Sequence, residues 1–166
     1  MEGIKEMVEY FNTYGILLVF AVVYLEYLNL PGLPAGIIMP AAGVLIAQSE
    51  YNFIWVLIVS VTAGTIGSIC LYYVGYFVGN PVLNWMYEKF PKSRSSIEKA
   101  MSYQEKYGNR GAFISRLVPV ARTLISLISG IFRTNIFKFT LYSIPGITIW
   151  NFVFILSGYL GAKIIF

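Results

Sequence analysis

The sequence predicts an all-α integral membrane protein with inverted-repeat architecture. Two oppositely oriented re-entrant helical hairpins are expected to meet near the bilayer midplane, beside about three transmembrane helices. Hydrophobic residues make up 57% of the 166 residues, charged residues make up 12%, and the mean hydropathy is +0.68, values that separate the chain from soluble domains. Two apolar segments carry prolines that interrupt a straight helix, and basic residues cluster in one connector. A single membrane domain is expected to cover residues 1–166.

The N-terminal segment is expected to form a surface helix and then the first crossing. Within residues 1–13, apolar side chains recur at helical spacing opposite three glutamates, which is typical of an amphipathic helix on the membrane surface. Residues 14–28 are the first predicted transmembrane helix. No small-residue cleavage site follows this apolar run, so the segment is not a cleavable signal peptide.

Residues 30–48 are apolar, but they are predicted to form a re-entrant hairpin. Pro31, Pro34 and Pro40 each lack a backbone donor and clash with the preceding helical turn, and Gly43 ends the segment. Interrupted backbone at membrane depth is tolerated where protein or a water-filled cavity satisfies it. We therefore expect this segment to enter from the outside, followed by a crossing over residues 53–79.

The connector of residues 80–110 is predicted to be amphipathic and cytoplasmic, because Lys and Arg outnumber Glu in it. Residues 111–132 follow as the second hairpin, and residues 139–162 as the last crossing. If residues 111–132 crossed the bilayer fully, Arg133 and Lys138 would emerge outside, against the positive-inside rule. We therefore expect the second hairpin to enter from the cytoplasm and return to it.

A weak internal repeat relates the two halves of the chain. Each half has a proline-containing hairpin that ends in glycine, followed by a helix with a central glycine. Gly43 and Gly130 end the hairpins, and Gly64 and Gly146 lie in the following helices. Inverted repeats with discontinuous helices build the midplane sites of many transporters.

Arg116 and Arg122, on either side of Pro119, are the predicted substrate-binding residues. A charge at the centre of a spanning helix costs roughly 2.5 to 3.5 kcal/mol, so both guanidinium groups need partners. A break at Pro119 would let both groups face one point, and guanidinium groups bind phosphate through two parallel hydrogen bonds. Neighbouring hydroxyls are further candidates for ligand contact: Ser115, Thr123, Ser126 and Ser129.

Glu26, the one acid within an apolar stretch, has two interpretations. As a structural residue, it neutralises Arg116 or Arg122 and joins the two hairpins. As a functional residue, it accepts a proton in a low-dielectric cavity. Both interpretations stay open from the sequence, and Glu26 is grouped with the substrate-binding residues.

Composition argues against several other functions. The chain has no histidine, no aspartate and one cysteine, which disfavours a metal site, a cofactor and an enzyme built on the usual catalytic residues. The net charge of +4 is small, so no nucleic-acid partner is expected. Gly75 and Gly79 have a small-xxx-small spacing that suits a neighbouring helix or a second copy of the chain in a homo-oligomer.

Several motifs occur in a characteristic order between Leu25 and Lys163. They are Glu26, the segment Leu30-Pro31-Gly32-Leu33-Pro34, the stretch Arg116-Leu117-Val118-Pro119-Val120-Ala121-Arg122-Thr123, and then Ser129-Gly130, Trp150-Asn151 and Gly158-Tyr159-Leu160-Gly161. In these motifs the chain resembles the DedA family of membrane proteins, which are related to the VTT-domain lipid scramblases. The resemblance implies paired re-entrant hairpins, with the two arginines on a headgroup phosphate and Glu26 coupled to the proton motive force. Many members of the family carry an acid where this chain has Gly36.

Three functions are consistent with these patterns. The first is a flippase for a phosphate-bearing lipid, with undecaprenyl phosphate preferred on the resemblance, in a multi-pass protein of the bacterial cytoplasmic membrane. The second is a broad phospholipid scramblase or phosphatidylethanolamine transporter. The third is a proton- or cation-coupled exchanger of small solutes, which Glu26 keeps open. The two arginines favour an anionic group, so membrane lipids are the expected partners.

Overall fold

A computed structural model of the chain describes residues 2–28, 35–89, 91, 94–118 and 121–165. Helices account for nearly all of these residues, so the predicted all-α class is confirmed in the part of the chain described. The helices are α1 (Glu2–Tyr27), α2 (Ala35–Ala47), α3 (Phe53–Val78), α4 (Asn80–Lys89), α5 (Arg94–Tyr107), α6 (Asn109–Arg116), α7 (Ala121–Ile131) and α8 (Ile136–Ile165).

Two helices, α3 and α8, are long and apolar enough to cross a membrane. At 1.5 Å per residue they extend about 39 and 45 Å, against a hydrocarbon core of about 30 Å. Both expose large apolar side chains on their outer faces, as lipid contact requires, with Phe77 and Leu141 as examples. The apolar part of α1, Thr13–Tyr27, is shorter. Among the described residues, two helices therefore meet this criterion, where the sequence predicts about three.

The first helix, α1, runs without interruption from Glu2 to Tyr27. The boundary expected between a surface helix and a first crossing is therefore absent. Thr13 and Gly15 stand at that boundary, and neither disfavours a helix enough to stop one.

Helix α1 lies beside α3 and points in the same direction. Phe20 and Val59 line one groove between the two helices, and the ring of Tyr27 lies against Gly64 further along. The end of α1 is therefore level with the middle of α3. Because α1 and α3 are parallel, α2 has to run back between them.

The hairpin expected at residues 30–48 does not have the predicted bounds, because most of this segment is the single helix α2. Residues 35–47 form one helix that continues through Pro40, and not two arms with a turn between them. Proline deletes one backbone hydrogen bond, a loss that helices tolerate when neighbouring helices pack against them. The change of direction falls between α1 and α2. Pro31 and Pro34, expected to shape it, lie outside the described residues.

In the segment 111–132 the helix is interrupted, since α6 ends at Arg116 and α7 begins at Ala121. Pro119 lies outside the described residues. Helix α6 packs against α8, where the side chain of Arg116 lies against Gly146 near the middle of α8. Helix α7 then leads away from this level along α3.

Backbone contacts at glycines join α2 to α8 and α3 to α7. At four glycines, an added Cβ would lie within 2.1 Å of a carbonyl oxygen of the facing helix. The pairs are Gly43 with Ile155, Gly158 with Pro40, Gly75 with Leu127, and Gly130 with Tyr72. Gly43 lies four residues before the end of α2, and Gly130 lies one residue before the end of α7. Both glycines allow close helix packing, and their role at the end of a hairpin stays a prediction.

The predicted connector, residues 80–110, contains α4 and α5. Helix α5 covers α7 with an apolar face, in which Ile97 and Ala100 pack against Leu124 and Ile128. This contact holds α7 between α3 and α5 and leaves the end of α6 facing α8.

Candidate functional site

Three charged side chains are buried where α1, α6 and α7 meet. Glu26 in the last turn of α1 is 3% exposed, Arg116 at the end of α6 is 1% exposed, and Arg122 at the start of α7 is 4% exposed. Removing charges from water is costly unless they are paired and hydrogen-bonded, so their contacts decide what the site can do.

Arg122 has partners on two other helices. Its Nη2 forms an ion pair with Oε1 of Glu26. Its Nη1 donates to the hydroxyl of Tyr27 at 3.4 Å, and its Cζ lies 4.5 Å from the ring centroid of Trp150 in α8. A guanidinium stacked on an aromatic face gains a cation–π interaction. Arg122 is therefore fixed against both α1 and α8.

A chain of buried hydrogen bonds continues from Tyr27 into the protein. The Tyr27 hydroxyl donates to Oδ1 of Asn151 at 3.0 Å, and Nδ2 of Asn151 donates to Oγ of Ser60 at 3.2 Å. The Ser60 hydroxyl donates in turn to the carbonyl of Leu57 at 2.8 Å. This network links α1, α8 and α3, and it orients the ring that lies near both guanidinium groups.

Arg116 is much less well satisfied than Arg122. Its Nη2 donates to Oγ of Ser126 at 3.1 Å. Its Nε and Nη1 are buried without a hydrogen-bond partner, and no ion pair to it exists among the described residues. Two rings lie near its Cζ, that of Phe139 at 5.7 Å and that of Tyr27 at 5.9 Å.

The stem of Arg116 lies directly on α8 because residue 146 is glycine. A Cβ added to Gly146 would lie 2.9 Å from Cβ of Arg116, too close for an ordinary contact. Ser143 lies one turn before Gly146 on the same face of α8, and its hydroxyl is buried without a partner. The hydroxyl of Ser115 and Nε1 of Trp150 are also buried and unpartnered in the described part of the chain.

The described residues of the site therefore hold two guanidinium groups against one carboxylate. Except for Oε2 of Glu26, the unsatisfied atoms can all donate hydrogen bonds. A net positive, donor-rich group of side chains is suited to an anion with several acceptor oxygens.

The structure brings together Arg116, Arg122, Glu26 and Ser126 from the predicted set. It pairs Glu26 with Arg122, which corresponds to the structural interpretation of that acid. Ser129 donates instead to Oε1 of Gln104 at 3.2 Å, on the side of α7 that faces α5. Pro119 and the side chain of Thr123, both in the predicted set, lie outside the described residues.

Four neighbours of the arginines were not among the predicted site residues: Tyr27, Ser143, Trp150 and Asn151. Tryptophan is typical of the membrane interface, yet Trp150 lies near the middle of α8, against Arg122. An amide within a long apolar helix was the available signal for Asn151, because a buried amide requires hydrogen-bond partners. No comparable signal marked Tyr27 among the many tyrosines of the chain.

Comparison with known proteins relates the helices that form the site to one family. The model of the VTT domain matches residues 33–160, which include α2 through most of α8 and both arginines. No solved structure matches the chain.

Individual relatives come from several bacteria. Undecaprenyl phosphate transporter A of Staphylococcus aureus (strain NCTC 8325 / PS 47) is 32% identical over 154 residues, covering 90% of this chain and 75% of the relative. Undecaprenyl phosphate transporter A of Bacillus subtilis (strain 168) is 29% identical over 126 residues, covering 76% of this chain and 64% of the relative. Protein DedA of Escherichia coli (strain K12) is 22% identical over 160 residues, covering 94% of this chain and 73% of the relative.

Proposed function

Because the chain belongs to the VTT-domain family of DedA membrane proteins, we propose that it moves a phosphate-bearing lipid across the bacterial cytoplasmic membrane. Undecaprenyl phosphate is the preferred substrate, since two relatives carry the name of a transporter of that lipid. A lipid monophosphate combines a compact anionic group with an apolar tail, and the two parts require different surroundings.

The proposal depends on one observation, the buried guanidinium of Arg116 with its unsatisfied nitrogens. Its guanidinium is buried, has no ion-pair partner among the described residues, and keeps two nitrogens without acceptors. An uncompensated charge at membrane depth costs several kcal/mol. Phosphate oxygens would supply both the negative charge and the missing acceptors, with the hydroxyls of Ser115 and Ser143 as further donors.

The apolar tail would remain in the lipid. Directly after Arg116, the side chains of Leu117 and Val118 are exposed. An isoprenoid or acyl chain could lie against them while the phosphate is held by the arginine. The headgroup would then cross the membrane within the protein, and the tail would move along its surface.

The interrupted regions act as two re-entrant hairpins of opposite orientation, formed by α1 with α2 and by α6 with α7. Support comes from the levels at which α1 and α6 end, beside Gly64 in the middle of α3 and beside Gly146 in α8. The ion pair between Glu26 and Arg122 connects the end of α1 to the start of α7. Interrupted backbone at such a depth requires protein contacts, which the paired hairpins would give each other.

An inverted repeat is supported by the glycine contacts. Helix α2 packs on α8, and α7 packs on α3. In each case the short helix of one half packs on the long helix of the other half. Each of the four helices has one glycine that contacts a carbonyl of the facing helix, and one residue whose own carbonyl contacts the glycine of the facing helix. In every case that residue lies three positions before the glycine. The pairs within each helix are Pro40 and Gly43, Tyr72 and Gly75, Leu127 and Gly130, and Ile155 and Gly158.

Coupling to protons would follow from competition at Arg122. A phosphate that binds Arg122 displaces the carboxylate of Glu26 from its ion pair. A buried carboxylate without a partner is costly, so Glu26 would take up a proton or leave the site. Substrate binding and proton uptake would then occur in the same step.

The decisive experiment measures leaflet exchange in proteoliposomes. Labelled undecaprenyl phosphate and labelled phosphatidylethanolamine are followed separately, with and without a pH gradient, for the parent and for Arg116→Gln, Arg122→Gln and Glu26→Gln. We expect the parent to exchange undecaprenyl phosphate faster and both arginine variants to lose most of this exchange. Glu26→Gln should abolish the effect of the gradient.

The matched control is Arg94→Gln, which removes an arginine from an exposed ion pair on α5. It should exchange lipid as the parent does. Full exchange by Arg116→Gln would contradict the proposed role of the arginine. Faster exchange of phosphatidylethanolamine would instead favour the phospholipid transporter.

A further inference from the structure

A second group of basic side chains lies outside the buried site, around an open cavity of about 550 Å³. Helices α5, α6 and α8 each contribute one cation to its lining. The lining residues are Lys106, Tyr107, Arg110, Lys138, Leu141 and Tyr142, which we call the basic cavity.

The three cations of the basic cavity are not neutralised. No acid lines the cavity, and none of the three is ion-paired, within the part of the chain that is described. Lys106 lies over the ring of Tyr107, with 5.3 Å between Nζ and the centroid. Cations drawn from separate helices toward one concave surface attract an anion more strongly than the same charges spread over a surface.

The basic cavity and the buried site lie along the same helix. Arg110 in the first turn of α6 lines the cavity, and Arg116 ends the same helix, about 9 Å further along at 1.5 Å per residue. Lys138 of the cavity is also the sequence neighbour of Phe139, whose ring contacts Arg116. The contact between α6 and α8 therefore joins the two groups of cations.

The basic cavity also borders the apolar surface of the protein. Leu141 lines the cavity while most of its side chain is exposed on α8, a helix long enough to span the bilayer. A lipid could enter from the side, with its headgroup among the cations and its tail along Leu141. A free anion would gain nothing from that apolar border.

We propose that the basic cavity is a second binding site for a phosphate group carried by a lipid, and that the headgroup passes along α6 between this cavity and Arg116. Its part in transport rests on the function proposed above, whereas binding to the cavity does not. The positive-inside rule assigns this end of α8 to the cytoplasm, so the cavity opens toward the inner leaflet.

The test neutralises the cavity with the triple variant Lys106→Gln, Arg110→Gln and Lys138→Gln. Binding of a labelled prenyl monophosphate is titrated in detergent micelles at low and high salt, and leaflet exchange is measured over a range of lipid concentrations. Each lost cation should weaken binding roughly 5-fold at low salt, and high salt should reduce the difference. The triple variant should need more lipid for half-maximal exchange and keep its maximal rate.

The control removes the same number of positive charges through Lys89→Gln, Lys99→Gln and Lys163→Gln, which replace three exposed lysines outside the cavity. It should bind and exchange lipid as the parent does. If this control loses as much lipid binding as the cavity variant, the effect is one of general surface charge and the proposal is overturned. Unchanged binding by the cavity variant would also overturn it. Inorganic phosphate is the second ligand, and tighter binding of it than of the prenyl phosphate would overturn the assignment to a lipid.

The binding and exchange measurements separate the two proposals. If the parent protein binds prenyl phosphate through the cavity but exchanges none between leaflets, the cavity proposal holds and the proposed transport function is wrong. Arg116→Gln should lose exchange while its cavity still binds lipid. Lost binding in that variant would show one site and not two, and would overturn the inference.

Discussion

Glu26 on α1 and Arg122 on α7 form a buried ion pair across 96 positions of sequence. Each lies beside an interruption of the helical backbone, Glu26 just before the region between α1 and α2, and Arg122 just after the region between α6 and α7. The ion pair is therefore a tertiary link between the end of α1 and the start of α7.

Removing one member of this ion pair should cost more than removing both. Glu26→Gln or Arg122→Gln leaves a buried group without its partner, which typically costs 3 to 5 kcal/mol, so we expect a loss of about that size. The double variant Glu26→Leu/Arg122→Met should lose clearly less. Reversible unfolding in mixed micelles measures these free energies, and simple additivity of the two single losses would contradict the expected coupling.

Arg116 should behave in the opposite way, since it is buried without an ion-pair partner among the described residues. Replacement by methionine removes an uncompensated charge, so Arg116→Met should raise the free energy of unfolding by roughly 1 to 3 kcal/mol. The same variant should lose lipid exchange. Unfolding and leaflet exchange are measured on one preparation, and a variant that loses stability would indicate a structural role for Arg116.

Alanine should be poorly tolerated at the glycines that contact facing carbonyls. Gly158→Ala and Gly75→Ala would each force two helices apart, at a cost of about 2 kcal/mol or more. Gly161→Ala in α8 and Gly36→Ala in α2 are the controls, because an added Cβ meets nothing within 4 Å there. Alanine favours helices over glycine by about 1 kcal/mol, so the controls should be neutral or stabilised. Thermal denaturation ranks the four variants, and equal effects would contradict the packing argument.

The hydrogen bond between Tyr27 and Asn151 should contribute to stability and to the orientation of Arg122. Tyr27→Phe keeps the ring against the guanidinium and removes only the hydroxyl, whereas Asn151→Ala also removes the donor to the Ser60 hydroxyl. Each change should cost about 1 to 3 kcal/mol, with the larger loss for Asn151→Ala. The double variant should lose less than the sum, and a denaturant titration of all three tests this coupling.

The charged residues of the site could be predicted from sequence because charge is conspicuous in an apolar chain. Arg116, Arg122 and Glu26 each carry a penalty at membrane depth that only a partner removes. Which partner each would take could not be predicted, since Glu26 is equally compatible with either arginine until the helices are placed.

The bounds and directions of the helices were predicted only in part. Helix α6 ends at Arg116, shortly before Pro119 in sequence, as the proline rule predicts, but the same rule failed at Pro40, where α2 continues. The first reversal joins α1 to α2, because α1 and α3 are parallel, and that alignment depends on tertiary packing of Tyr27 against Gly64. Residues far apart in sequence, such as Tyr27 and Asn151, give no local sign that they meet.

The glycine contacts restrict which parts of the protein can move. Where two backbones touch, a shift by one residue brings a side chain onto a carbonyl, so α2 with α8 and α3 with α7 should each move as one rigid body. Relative rocking is easiest where side chains separate the helices, as in the layer that contains Glu26 and Arg122. Any access from alternate sides of the membrane would therefore open and close in that polar layer, while the two helix pairs stay intact.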